Sequence, residues 1–253
     1  MRKVQIEGKK VEIYDSIEDM PIERFHKYSK MLLIDAGIGG DLSDVDSHIE
    51  KITKFLSNNE TNNAIIELSN LRQNIYFIQS GLSPKNLAFA VIVKSIDGVE
   101  CNDLSDDGIK HTLDLLSKCK QSEMTDQIDS VKKKIDDELQ VYFPTTFDDV
   151  ETKEYHDILK RRTLQVLKEI IEDKVNDDVE KITDKLVTYF HPHIFTGKES
   201  SEISFDKQYN DMCLVLSQNL NVDTSKMSVL QFYNAFEFLK KQIKEQKRSM
   251  ASK

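Results

Sequence analysis

Apolar residues recur along this chain at steps of three and four, and a chain patterned that way hides them only by coiling into helices. Val45, Ile49, Ile52 and Leu56 set the beat, and Ala64, Leu68, Leu71, Ile75 and Ile78 repeat it. It returns at Ile109, Leu113 and Leu116, and again at Ile128, Val131, Ile135 and Leu139. Further on it runs from Tyr155 to Ile171, through Val175, Val179, Ile182, Leu186 and Phe190, and then through Phe205, Tyr209, Met212, Leu216 and Leu220. Glycine and proline together supply only 8 and 4 of the 253 residues, so little interrupts these segments. The spacing predicts about eight or nine helices of ordinary length.

The breaks in the pattern place the boundaries. Val4 and Ile6 alternate with polar neighbours, Glu7-Gly8-Lys9-Lys10 turns the chain, and Val11 and Ile13 resume the alternation, which predicts a β-hairpin over the first fourteen residues. Its apolar face must be covered. Pro21 stands where a helix begins, and Gly37 is the expected stop of that helix. Ser83 and Pro84 open a uniformly apolar segment, "PKNLAFAVIVK", expected to be one central helix, after which "SIDGVEC" forms a small hairpin or loop around Asp97-Gly98. Pro144 ends the helix before it and marks the expected boundary between a hairpin-plus-helices domain, 1–143, and a helical domain, 144–253. The fold class expected is mainly α, a multi-helix bundle-like protein with a small N-terminal β-hairpin.

Composition narrows the chemistry. With 35 basic and 44 acidic side chains the net charge is −9, and the only strongly basic stretch is the C-terminal "KKQIKEQKRSMASK", so no nucleic-acid partner is expected. No apolar run approaches the roughly 18 residues of a membrane span, and the N-terminus lacks the continuous apolar region of a signal peptide, so no membrane partner is expected. Cys101, Cys119 and Cys213 are too scattered for a disulfide framework or a zinc site and are expected as buried thiols.

Several stretches imitate known sites. "KMLLIDAGIGG" has the outline of a strand and glycine loop, but the residues before Gly37 and after Gly40 carry helical spacing, and no acidic residue closes a following strand. The loop is expected to join two helices, with no cofactor. His191 and His193 lack a third ligand nearby in sequence, and the pairs His156-Asp157 and His111 with Asp114 have the spacing of solvated helix faces, so no metal is expected. Counted as a calcium loop from Asp41, the sixth and twelfth positions are Asp46 and Ile52 where glycine and glutamate are required. Asp41, Asp44 and Asp46 instead suit the first turn of a helix. No Gly-x-Ser-x-Gly, His-Glu-x-x-His or phosphate-loop motif occurs.

Three stretches, "MPIERFHKYSKMLLIDAGIGGDLSDVDSHIEKI", "LSPKNLAFAVIVKSIDGVECNDLSDDGI" and "MSVLQFYNAFEFLKKQ", resemble proteins carried among the virion and tail genes of Bacteroides-infecting, crAss-like bacteriophages. The last is also similar to the ending of some tail-assembly chaperones. The resemblance implies a non-enzymatic structural protein of the portal-proximal or tail apparatus, assembled in the host cytoplasm and kept in the virion. Its partners would be further copies of itself and other tail or portal proteins. The rival expectations are an assembly chaperone absent from the finished particle and a helical enzyme with an unrecognised site. No active-site residues carry over. The aromatic residues of the last helix, Phe232, Tyr233, Phe236 and Phe238, exceed what one helix face buries and form the expected partner interface.

Overall fold

The alternating N-terminus pairs with itself. In the computed structural model, which describes residues 1–116, 121–147, 150–172, 178–179, 181–182 and 192–251, β1 (Arg2–Ile6) and β2 (Lys9–Ile13) are antiparallel, with Val4 opposite Val11. The turn takes positive φ at both Glu7 (47°) and Gly8 (82°), the twist that suits a right-handed strand pair. Ile6, Val11 and Ile13 are buried. The fold is mainly α with this hairpin at its start.

The hairpin is half of a larger sheet. β2 also pairs with β3 (Val93–Ile96), and β3 with β4 (Val99–Glu100), all antiparallel, in the order β1-β2-β3-β4. The β3–β4 turn repeats the first, with positive φ at Asp97 (50°) and Gly98 (84°). The expectation of one helix through "PKNLAFAVIVK" is therefore corrected. That helix, α4 (Pro84–Ile92), stops where the β-branched run Val91-Ile92-Val93 reaches the edge of β2, and the strand follows with no loop between.

A helix that turns directly into a strand leaves backbone carbonyls to be satisfied, and Arg24 of α1 (Ile22–Ile38) collects them. Its Nη1 donates to the carbonyls of Val91 (2.5 Å) and Val93 (2.8 Å), and its Nη2 to that of Cys101 (2.8 Å). The guanidinium lies 5.2 Å from the ring centroid of Tyr14, and the residue is only 4% exposed. One side chain thus ties α1 to the end of α4 and to both sides of the β3–β4 hairpin. α5 (Asp106–Leu115) packs on α4, its first turn capped by the Ser105 hydroxyl, which accepts the N–H of Gly108.

α1 runs one residue past its expected stop. Gly37 is inside the helix and buried, and a Cβ there would sit within the ring of Phe195, which packs with Ile34 and Ile38. The cap is Gly39, at φ 69° and ψ −169°, a region open essentially to glycine alone. "GIGGD" joins α1 to α2 (Leu42–Ser57) through a capping box: Asp41 accepts the N–H groups of Ser43 and Asp44, and Asp44 accepts those of Gly40 and Asp41. Residues 58–60 then turn the chain into α3 (Thr61–Ser80).

α6 (Gln121–Tyr142) buries Met124, Ile128, Val131, Ile135 and Leu139, the set its spacing predicts. Beyond it the chain divides into two compact units, Met1–Val141 with His193–Lys253, and Tyr142–Pro192. A single division at 144 is thus corrected: the second unit is an insertion. It contains the short α7 (Pro144–Phe147) and α8 (Val150–Glu172). Of the periodic segment that follows, Val175, Leu186 and Phe190 lie outside the described residues, as does Cys119.

The last stretch belongs with the first. α9 (Ser201–Leu220) packs on α1, and α10 (Val229–Ala251) on both. Backbone bonds fix the join: Ile22 N–H donates to Met227, Val229 N–H to Met20 and Leu230 N–H to Ile17. Among the described residues no helix is long and apolar enough to cross a membrane.

Two substitutions test these junctions. Arg24→Lys keeps the charge but has one ammonium where three carbonyls need donors, and it should destabilise the protein by about 3 kcal/mol in denaturant unfolding. Gly39→Ala forces a side chain into a glycine-only conformation beside Asp44 and should cost about 2 kcal/mol in the same measurement.

Candidate functional site

The four aromatic residues expected to face a partner divide between inside and outside. Phe232 is fully buried, its ring 6.2 Å from Tyr209 and edge-on to Tyr233 at 5.5 Å. Tyr233 is half-buried and edge-on to Phe25 at 6.5 Å, and burial pushes its phenol up to about 12. Phe232 and Tyr233 therefore serve the junction of α1, α9 and α10, which corrects their place in a partner surface. Phe236 is half-buried with the Lys240 ammonium 4.5 Å from its ring centroid. Phe238 alone of the four is exposed, at 53%.

The same junction holds the best-formed polar arrangement. The His26 ring is stacked between Phe205 (4.8 Å) and Tyr209 (4.0 Å), and its Nε2 lies 2.8 Å from Asp206. Lys30 bridges Asp206 (2.8 Å) and Glu202 (3.4 Å). Burial keeps His26 below the ordinary imidazole range despite Asp206. The cavity beside it, lined by Phe25, His26, Phe205 and Tyr209 among others, has a volume of about 60 Å³, room for one or two waters. A second, open depression of about 760 Å³ lies over the solvated side of the sheet, where Lys3, Lys10 and Lys94 alternate with Glu12, Asp97 and Glu100.

The other candidate groups disperse. His111 and Asp114 are exposed on α5, and His193 is exposed beside Ser201. His191 and the side chain of His156 lie outside the described residues. Among the described residues no group of three or more His, Cys, Asp or Glu side chains could hold a metal ion.

The most unusual surface is that of the α2–α3 hairpin, where polar and apolar sides are exchanged. His48 (3% exposed), Glu67 (0%), Asn70 (1%) and Asn74 (0%) are inside. His48 Nδ1 is 2.8 Å from Glu67 Oε1, and its Nε2 is 2.8 Å from the carbonyl of Ile38 at the end of α1. Asn74 donates to that same carbonyl (3.0 Å), Asn70 donates to the carbonyl of His193 (3.0 Å), and Lys51 lies 3.4 Å from Glu67. A carboxylate and a carbonyl face the two ring nitrogens as acceptors, an arrangement that favours the protonated imidazole. The bonds to Glu67 and Ile38 outweigh the cost of burial and raise its pKa.

Outside are Leu42, Ile49, Leu56, Ile65, Leu68, Ile75 and Tyr76, each between 41% and 74% exposed. Sequence periodicity assigns Ile49, Leu56, Leu68 and Ile75 to the core; the structure turns them to solvent. Ile49 follows buried His48, Leu56 follows buried Phe55, and Ile65, Leu68 and Ile75 follow buried Ala64, Glu67 and Asn74. A one-residue offset of the same sign on two antiparallel helices brings both stripes to the same outer surface. The signal in the sequence is the polar set Glu67, Asn70 and Asn74, which has helical spacing of its own.

No family model matches the chain, and comparison with curated proteins and with solved structures finds no match either.

The protonation of His48 has a stability consequence. Its folded pKa is raised above the unfolded value of about 6.5, so its contribution is complete below that pH and is lost as pH rises through the folded value. His26, with a lowered pKa, acts with the opposite sign. The stability difference between the protein and His48→Gln, measured by denaturant unfolding, should therefore shrink from pH 6 to pH 8.5, a comparison in which His26 cancels.

Proposed function

We propose that the chain is a non-enzymatic assembly component that works through protein–protein interfaces. The single observation that carries this is the outer face of α2 and α3. Its seven large apolar residues, each between 41% and 74% exposed, stand on two helices packed against each other, and apolar surface gathered in this way marks an interaction site. The space beside His26 holds only about 60 Å³, and the larger depression, about 760 Å³, is open and lies over solvated charged side chains of the sheet, which favours an interaction role over catalysis. The resemblance of the α1–α2, α4–α5 and α10 sequences to phage virion and tail proteins supplies the setting: a structural protein of the portal-proximal or tail apparatus, in contact with its own copies and with neighbouring tail or portal proteins.

Mass spectrometry of purified particles tests the setting. The structural reading expects the chain in stoichiometric amount with the tail proteins. Recovery only with tail proteins from assembling cells would replace it by the chaperone role. Absence from both would overturn the assembly reading.

A further inference from the structure

We infer that the outer face of the α2–α3 hairpin is the interface of a symmetric dimer, in which the hairpins of two copies close into an antiparallel four-helix bundle; this rests on the assembly reading and specifies its first partner as a second copy. In α2 the apolar positions 42, 45, 49, 52 and 56 step by three and four without a break, the spacing of a coiled-coil seam. In α3 the positions 65, 68, 72 and 75 do the same, with Arg72 the one polar member. An a/d seam is filled by knobs from facing helices, and two seams side by side on an antiparallel pair are filled by another antiparallel pair. The chain carries such a pair with matching spacing.

Size and charge both fit self-association. The summed exposure of the seven residues, roughly 700 Å² per copy, is comparable to the roughly 800 Å² that each partner contributes to a stable interface of standard size. The face and its edge carry both signs: Arg72 lies in the α3 seam, and Asp46 and Glu50 flank the α2 seam. The α2–α3 turn is centred near residue 59 and Lys51 meets Glu67 across the hairpin, so Arg72 on α3 lies level with Asp46 on α2. A two-fold axis parallel to the helices sets α3 of one copy over α2 of the other at unchanged level and carries Arg72 toward the second copy's Asp46, within about a turn of Glu50. An isologous interface needs this self-complementarity, because each residue meets its counterpart's neighbours twice.

Analytical ultracentrifugation of the full chain over a range of concentrations tests the inference. The expected result is a monomer–dimer equilibrium that Leu68→Glu weakens at least about 100-fold, since the charge enters the seam twice, with circular dichroism unchanged because Leu68 is 56% exposed in the single chain. Arg72→Glu should weaken the dimer, and Asp46→Lys added to it should restore part of the loss. Phe238→Glu, on the exposed side of α10, should leave the dimer intact. A dimer insensitive to Leu68→Glu, or one abolished by Phe238→Glu, places the interface elsewhere and overturns the inference. A chain that stays monomeric at every concentration but is recovered in particles with tail proteins overturns the dimer while the assembly reading stands; one that is monomeric and absent from both loses both.

Discussion

A buried guanidinium that donates to three backbone carbonyls holds the first half of this fold in register. Arg24 sits in the first turn of α1 and donates to carbonyls on either side of the β3–β4 hairpin and at the end of α4. Arginine suits this position because its planar fork presents several donors in fixed directions, so one side chain satisfies acceptors that diverge from a helix-to-strand change. The direct passage from α4 to β3 is tolerable because those carbonyls are met. The passage in turn sets β3 beside β2, and β2 carries the N-terminal hairpin. Loss of the fork would loosen the sheet and the helix pair together.

Much of this architecture is legible in the sequence where a signal is local. The two tight turns, Glu7-Gly8 and Asp97-Gly98, announce themselves by residue type, and the buried stripe of α6 is the one its spacing predicts. The failures share a cause. The run from Leu87 to Val93 is apolar throughout, so periodicity cannot separate the end of its helix from the start of its strand, and only the edge of β2, distant in sequence, decides. The return of 193–251 to the first unit depends on backbone bonds between residues about two hundred positions apart, such as Val229 to Met20. Gly37 and Gly39 look alike in the sequence. One is required by the ring of Phe195, far away in sequence, and the other by its own φ at the helix cap, and residue type alone does not say which is which.

The aromatic cluster on α10 shows the same limit in a different form. Helical spacing correctly groups Phe232 with Phe236, but spacing carries no information on what approaches each side. Tyr209 and Phe25, brought by α9 and α1, enclose Phe232 and Tyr233, and they leave Phe238 as the outward member.

The exchanged faces of α3 raise the sharper question of why the helix does not turn by one residue and bury Leu68 and Ile75 in place of Glu67 and Asn74. Hydrophobic burial alone favours that turn, since each such side chain brought inside contributes about 2 kcal/mol. The turn would strand His48 without its carboxylate and the Ile38 carbonyl without Asn74, and it would turn Ala64 out of the interior. Groups left unpaired in the interior cost as much as the burial gains, or more. Directional bonds thus set the phase of α3. The apolar stripe is held outward by what is satisfied inside, and it is presented on a hairpin already anchored to the end of α1. A surface fixed in this way needs little ordering on association, which lowers the entropic cost that otherwise weakens helix-to-helix docking.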